Sequence, residues 1–192
     1  MSAPGAGQDV APTTHALVEL RVLEGPNLYF PRAAVKLTLD TGALATAPIE
    51  VVRVLAERIG LSDARPGEPG SGFRQRFALR AVARLVRAVA QESGTSSLAV
   101  RVRPTNDPHQ VVVAYPWAHR ERARSMGRAV ASVLDVLVPG DDGVSTDRLS
   151  AAVSVAAETV ATSEPGDGPT TLEPRVPVVA VTGTNGKTTT SR

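Results

Sequence analysis

The stretch that decides the predicted fold is FRQRFALRAVARLVRAVAQE, residues 73–92. Its apolar residues recur at helical spacing and form one wide stripe, whereas its arginines recur on another side, which predicts an amphipathic helix. Such a stripe is stable only when it packs against a second layer of structure, and the segments on both sides of the helix supply strands for that layer. The stripe consists of Phe77, Ala81, Val82, Leu85, Val86 and Val89.

Two pairs of strands are predicted around this helix. The first pair alternates between apolar and polar residues on either side of a Gly25-Pro26-Asn27 turn, which predicts a β-hairpin with a long loop. In the second pair, Arg101 and Arg103 flank Val102 and are expected on the solvent-facing side. The four predicted strands are residues 16–23, 34–39, 98–102 and 110–115.

Three further helices complete the predicted domain, at residues 48–59, 120–138 and 146–161. Residues 63–72, rich in Pro and Gly, are expected to form a surface loop. Strands and helices in this order predict an α+β sandwich, in which a sheet is covered by helices on one face. The inward side of the helix at residues 120–138 is predicted to consist of Met126, Val130, Val133, Leu134 and Leu137. Trp117 is expected to anchor the core.

Composition limits the classes of protein. The 192 residues are 42% hydrophobic and contain no cysteine, which excludes disulfides and cysteine chemistry. Basic residues exceed acidic ones by only two, so no nucleic-acid partner is predicted. No apolar run approaches the roughly 20 residues that span a bilayer, so no membrane partner is predicted. We expect a disordered tail (1–14), an N-terminal domain (15–161), a linker (162–175) and the start of a second domain (176–192).

The second domain begins with VPVVAVTGTNGKTTTSR, residues 176–192. Val178 to Val181 is apolar without alternation, as in a parallel strand covered on both faces. A Gly-rich turn follows, in which backbone N–H groups and Lys187 suit phosphates and the hydroxyl of Thr188 suits Mg²⁺. A Gly/Thr-rich turn that binds nothing is the alternative. Because only four residues follow Thr188, we expect the chain to stop inside this domain, and the 192 residues alone to be inactive.

The string VTGTNGKTTT resembles the ATP-binding loop of the Mur ligase superfamily. The resemblance implies an α/β ATP-binding domain in a cytoplasmic enzyme that phosphorylates a carboxylate substrate with ATP and forms an amide with an amino acid or another amine. It implies that Lys187 serves ATP and that Thr188 serves ATP and Mg²⁺, while the remaining metal and substrate ligands of the family would follow residue 192. The implied nucleotide-binding residues are Gly183, Thr184, Asn185, Gly186, Lys187, Thr188 and Thr189.

A second resemblance covers LRVLEGPNLYFPRAAVKLTLD, residues 20–40, which is similar to the opening of cyanophycin synthetases. In those enzymes a strand leads into a Gly-Pro-Asn turn followed by an aromatic residue, here Tyr29. The ATP-grasp domain that separates the two regions in the synthetases is absent from this sequence. Together the resemblances imply a Mur-type ligase with a cyanophycin-synthetase-like N-terminal domain. Asn27 and Tyr29 are candidates for ligand contact, although turn geometry and core packing explain them equally well.

The arginines of the long helix allow two interpretations. Arg76, Arg80, Arg84 and Arg87 recur at intervals of four, four and three residues, which is typical of a solvated face. Alternatively, they retain an anionic peptide polymer through many weak contacts. The corresponding alternative for the whole protein is a non-catalytic module that holds such a polymer or a partner, with a vestigial phosphate loop. His15, His109 and His119 are expected at the surface, without metal-binding spacing.

Overall fold

The computed structural model describes residues 15–137 and 146–170. Within them, four strands form one antiparallel sheet in which β1 pairs with β2, β2 with β4 and β4 with β3. Helices complete the structure, and the predicted α+β class is confirmed. The predicted tail at 1–14 and the strand and loop within 176–192 lie outside the described residues. The strands are β1 Leu17–Leu23, β2 Ala34–Asp40, β3 Arg101–Pro104 and β4 Gln110–Pro116.

The register of the sheet puts one apolar set of side chains on the face that the helices cover. Leu37 of β2 lies opposite Leu20 on one side and Val113 on the other, and Leu37 and Val113 are fully buried. Strand β3 begins at Arg101, so the predicted start at Leu98 is wrong. Arg101 pairs with Ala114, and a longer ladder would soon reach Pro116, which has no N–H to donate.

The described residues contain five helices, one more than the sequence predicts. The additional one is a single short turn between β2 and the next helix, too short to produce a periodic pattern. The buried stripe of the long helix is confirmed: its six apolar residues are all at most 2% exposed. The helices are α1 Gly42–Thr46, α2 Ile49–Arg58, α3 Gly72–Glu92, α4 Arg120–Leu137 and α5 Thr146–Thr162.

Helix α4 packs closely on the sheet at Gly127. A Cβ atom there would lie 2.8 Å from Leu20 Cδ1, 2.8 Å from Leu37 Cδ2 and 3.2 Å from the hydroxyl oxygen of Tyr115. Tyr115 is buried and donates a hydrogen bond of 2.9 Å to the carbonyl oxygen of Ala123, one turn earlier in α4. Burial raises the pKa of Tyr115 well above its usual value. The absence of a side chain at position 127 therefore sets the distance between helix and sheet. The predicted inward residues of α4 are buried, and so is Trp117.

Arg74, near the start of α3, is buried although arginine is almost always exposed. Its guanidinium donates to the carbonyl oxygens of Leu44 at 2.8 Å and Ala47 at 2.7 Å, which follow β2, and of Pro66 at 3.1 Å and Gly67 at 2.8 Å, which precede α3. Burial lowers the pKa of Arg74. One charged side chain thus fastens α1 and the 63–72 loop to the first turn of α3.

The predicted linker begins at Thr162, which is the last residue of α5. Residues 163–170 of the linker lie against the beginning of α4. The N–H of Arg120 donates to the carbonyl oxygen of Asp167 at 2.9 Å, and those of Glu121 and Arg122 donate to the carbonyl oxygen of Pro165 at 3.1 and 3.3 Å. These N–H groups belong to the first turn, which has no partners within the helix. The segment therefore acts as a backbone cap for α4.

Candidate functional site

The four arginines proposed on α3 have different surroundings. The guanidinium of Arg76 stacks 4.5 Å from the ring centre of exposed Phe73. Arg80 forms an ion pair of 2.9 Å with Asp63, and this hydrogen-bonded cation lowers the pKa of the Asp63 carboxyl. The proposed group therefore already contains one arginine with a carboxylate partner.

The other two arginines also differ from each other. Nε of Arg84 donates 3.0 Å to the carbonyl oxygen of Ile59, at the end of α2, whereas Arg87 is exposed on the next turn. The spacing correctly indicates that these side chains lie toward solvent, but it does not reveal the neighbours that two of them bind. The predicted nucleotide-binding residues, 183–189, lie outside the described residues.

A second cluster of cations lies on the face of the sheet opposite the helices, here called the open sheet face. It includes Arg101 and Arg103 on β3, as the alternation of the sequence predicts. Across the sheet, Arg101 lies opposite Ala114, Ala114 lies opposite Lys36, and Lys36 lies opposite Arg21 of β1. Basic residues therefore come from three of the four strands.

The loop between β1 and β2 places two aromatic rings on this face. Nδ2 of Asn27 donates to the carbonyl oxygens of Gly25 at 3.0 Å and Arg32 at 2.9 Å, and its Oδ1 accepts from the N–H groups of Tyr29 at 2.9 Å and Phe30 at 3.0 Å. These four bonds use the hydrogen-bonding capacity of the amide, so Asn27 holds the loop, as the turn-geometry alternative predicts.

Each aromatic ring supports one arginine of β3. The guanidinium of Arg101 lies 4.9 Å from the ring centre of Phe30, and that of Arg103 lies 5.8 Å from the ring centre of Tyr29. Neither arginine forms a salt bridge with a carboxylate among residues 15–137 and 146–170. A stacked guanidinium has a restricted orientation while its N–H edge stays available to an anion. The sequence does not predict this stacking, because it depends on how the 25–32 loop folds back.

The other edge of the open sheet face is internally neutralised. The carboxylate of Glu19 pairs with Lys36 at 2.7 Å and with Arg21 at 2.6 Å. The hydrogen bond from Lys36 is the principal cause that lowers the pKa of Glu19, and Arg21 adds to it. The charge that remains available is therefore concentrated on β3.

Other chemical features of the described residues are few. The three histidines are exposed, as predicted. In the part of the chain that the structure describes, no group of three His, Asp or Glu side chains is arranged to hold a metal ion. Among the helices described, none combines the length and apolar character needed to cross a bilayer.

Comparisons with known proteins add no relationship. The sequence matches no family model, and no curated protein matches it significantly. The functional interpretation therefore depends on the residues of the chain and on the geometry described above.

Proposed function

We propose that this chain is the N-terminal part of a cytoplasmic Mur-type ligase that forms amide bonds at the expense of ATP. The observation that carries the proposal is the string VTGTNGKTTT, residues 181–190, directly after an apolar strand pattern. Two glycines that permit close backbone approach, a lysine and a hydroxyl group occur there within six residues, Gly183 to Thr188. Each meets a different requirement of a Mg²⁺-bound triphosphate.

The proposed roles follow from the chemistry of each group. When bound with Mg²⁺, ATP supplies the phosphoryl group that activates a substrate carboxylate. The ammonium of Lys187 neutralises phosphate oxygens, and the hydroxyl of Thr188 offers an oxygen ligand of the kind that Mg²⁺ prefers. Backbone N–H groups from Gly183 to Gly186 donate to the phosphates. Positioning and electrostatic stabilisation are the main contributions of a protein to phosphoryl transfer, so these few groups matter strongly.

The test is nucleotide binding by the intact protein, expressed from its complete reading frame. Lys187→Ala is expected to weaken Mg²⁺-ATP binding roughly tenfold or more, as for loss of a charge-assisted hydrogen bond. Lys36→Ala is the matched control, because Lys36 is the only other lysine of the chain and pairs with Glu19 on the sheet. Equal ATP affinity of the Lys187→Ala variant and the unaltered protein would show that the loop is not a nucleotide site.

A second candidate function is favoured by a separate observation. The open sheet face presents Arg101 and Arg103 on aromatic supports, without carboxylate partners among the described residues. We propose that the N-terminal domain retains an acidic peptide polymer on this face. Of the arginines of α3, which the spacing also suggests for this role, Arg80 already pairs with Asp63, so the four do not act as one free group.

Charge favours a peptide over nucleic acid as the ligand of this face. Glu19 neutralises the β1 side, so the available charge comes from two guanidinium groups that have no carboxylate partner among the described residues, which suits a few carboxylates. Tight binding of nucleic acid generally requires more phosphate contacts than this face offers.

Binding of poly-L-aspartate, followed by fluorescence anisotropy, tests this second function. The double variant Arg101→Gln/Arg103→Gln is expected to weaken binding roughly tenfold or more at low salt. Arg53→Gln/Arg65→Gln removes two other exposed arginines and controls for net charge. Equal weakening by both double variants would indicate only non-specific attraction, and preferential binding of single-stranded DNA would contradict the choice of a peptide.

A further inference from the structure

A cleft of about 420 Å³ lies where the end of α2, the second half of α3 and the beginning of α5 meet. We call it the interhelical cleft. Its size falls within the range of small-molecule sites in proteins. Its lining residues differ from those of the open sheet face. Its charged lining residues are Glu57, Arg58, Arg84 and Glu92, and its other lining residues include Leu85, Leu149 and Val153.

Arg58 gives the cleft an unusual feature. Its Nη1 atom is buried, yet it has no hydrogen-bond acceptor among residues 15–137 and 146–170. A buried donor without an acceptor costs about 1–3 kcal/mol, and more when the group is charged. Buried polar groups in folded proteins are nearly always hydrogen-bonded. Because Arg58 lines the cleft, an anionic group bound there would lie beside its guanidinium and offset the uncompensated charge.

Arg84 provides a second donor group from the neighbouring helix. Its Nε is held by the carbonyl oxygen of Ile59 at 3.0 Å, which fixes the guanidinium at the end of α2. A Cβ atom at Gly60 would lie 3.3 Å from Nη2 of Arg84, so the absence of a side chain there leaves room for the guanidinium. The cleft is thus lined by guanidinium groups from two helices, and one of these groups is already oriented.

The carboxylates of the cleft restrict the kind of anion. Glu57 is exposed and forms no salt bridge with the described residues, and Glu92 accepts a hydrogen bond from the hydroxyl of Ser154. A phosphate group, with a charge near −2, would be repelled by these carboxylates. A ligand that carries its own ammonium group beside its carboxylate would instead match both signs of charge.

The apolar lining indicates the remainder of the ligand. Leu85 and Val153 come from facing helices and are largely buried, and Ala88 is partly exposed between them. These aliphatic surfaces favour an aliphatic group by removing it from water. We infer that the interhelical cleft binds a free aliphatic α-amino acid, with its carboxylate on Arg58 and Arg84 and its ammonium toward Glu57 or Glu92. This inference does not depend on the proposed ligase activity.

Calorimetric titration of the full chain with L-leucine tests the inference. We expect saturable binding, which 4-methylpentanoate, a leucine analogue without the ammonium group, should reproduce only roughly tenfold more weakly. Arg58→Gln should weaken L-leucine binding by a similar factor. Arg87→Gln, on the same helix as Arg84 but not lining the cleft, should leave binding unchanged.

Three results would overturn the inference. The first is the absence of saturable L-leucine binding. The second is equal affinity of the Arg58→Gln variant and the unaltered protein for L-leucine, and the third is tighter binding of inorganic phosphate than of L-leucine. Thermal unfolding of Arg58→Met without ligand provides a measurement that does not depend on the choice of probe. Removal of an unsatisfied buried donor should raise the melting temperature. An unchanged or lower melting temperature would mean that the Nη1 donor is not a net cost in the folded protein, which would also contradict the inference.

Discussion

Replacement of Arg74 by methionine should destabilise the protein more than any change to an exposed arginine. The variant leaves four carbonyl oxygens without their donor, those of Leu44, Ala47, Pro66 and Gly67. An orphaned buried acceptor costs about 1–3 kcal/mol. Part of that cost is offset because the guanidinium no longer has to be desolvated, which requires several kcal/mol in a protein interior.

The net expectation is a decrease of about 3–5 kcal/mol in the free energy of unfolding, because four orphaned acceptors cost more than the desolvation that the variant avoids. Urea denaturation measures this decrease. Arg76→Met is the matched control on the same helix, because Arg76 is exposed and contacts only the Phe73 ring among the interactions described. A decrease below about 1 kcal/mol, or equal effects of the two variants, would refute the view that Arg74 fastens α1 and the loop to α3.

Gly127→Ala should lower the free energy of unfolding by about 1–2 kcal/mol, because overpacking between α4 and the sheet outweighs a gain in helix propensity of up to about 1 kcal/mol. An increase in the free energy of unfolding, measured by chemical denaturation, would contradict this. Gly166 has a φ of +69°, and a Cβ atom there would lie 2.8 Å from the backbone N of Glu121. Gly166→Ala should therefore displace the cap of α4 and lower the free energy of unfolding by about 1–2 kcal/mol. An unchanged melting temperature would disprove this. Burial raises the pKa of Tyr115 in the folded protein above the pKa of tyrosine in the unfolded chain, which is about 10. The stability that the neutral hydroxyl contributes is therefore complete below about pH 10 and is lost as the pH rises toward the folded-state pKa. The free energy of unfolding should therefore fall above about pH 10, and Tyr115→Phe should reduce that slope; an identical slope in both proteins would show that Tyr115 is not responsible.

Local patterns predict the elements of this fold well. The stripe of α3 is set by periodicity along the chain, and the structure confirms it. The predicted strands 34–39 and 110–115 are also found, as β2 and β4. Arg74 is an instructive exception, since it precedes Phe77 by one turn and thus lies on the apolar stripe. Its position in the sequence indicates burial, but its four acceptors come from two loops, and no local pattern identifies them.

The surface of the domain is less predictable for the same reason. The alternation of β3 indicates that Arg101 and Arg103 face away from the helices, but their stacking depends on a loop that Asn27 folds back from elsewhere in the sequence. Residues 163–170 have the composition of a linker. They nevertheless cap α4, because unpaired backbone N–H groups donate to any suitably placed carbonyl oxygen, whatever the side chain of that residue.

Product analysis of the intact protein tests whether it forms amides through an acyl phosphate, as proposed. The protein would be incubated with Mg²⁺-ATP, candidate carboxylate and amine substrates, and separately with hydroxylamine in place of the amine. We expect one ADP and one phosphate per amide formed, trapping of the activated carboxylate as a hydroxamate, and a loss of rate of roughly a hundredfold or more in Lys187→Ala. Formation of AMP and pyrophosphate, or ATP turnover that requires neither carboxylate nor amine, would contradict it.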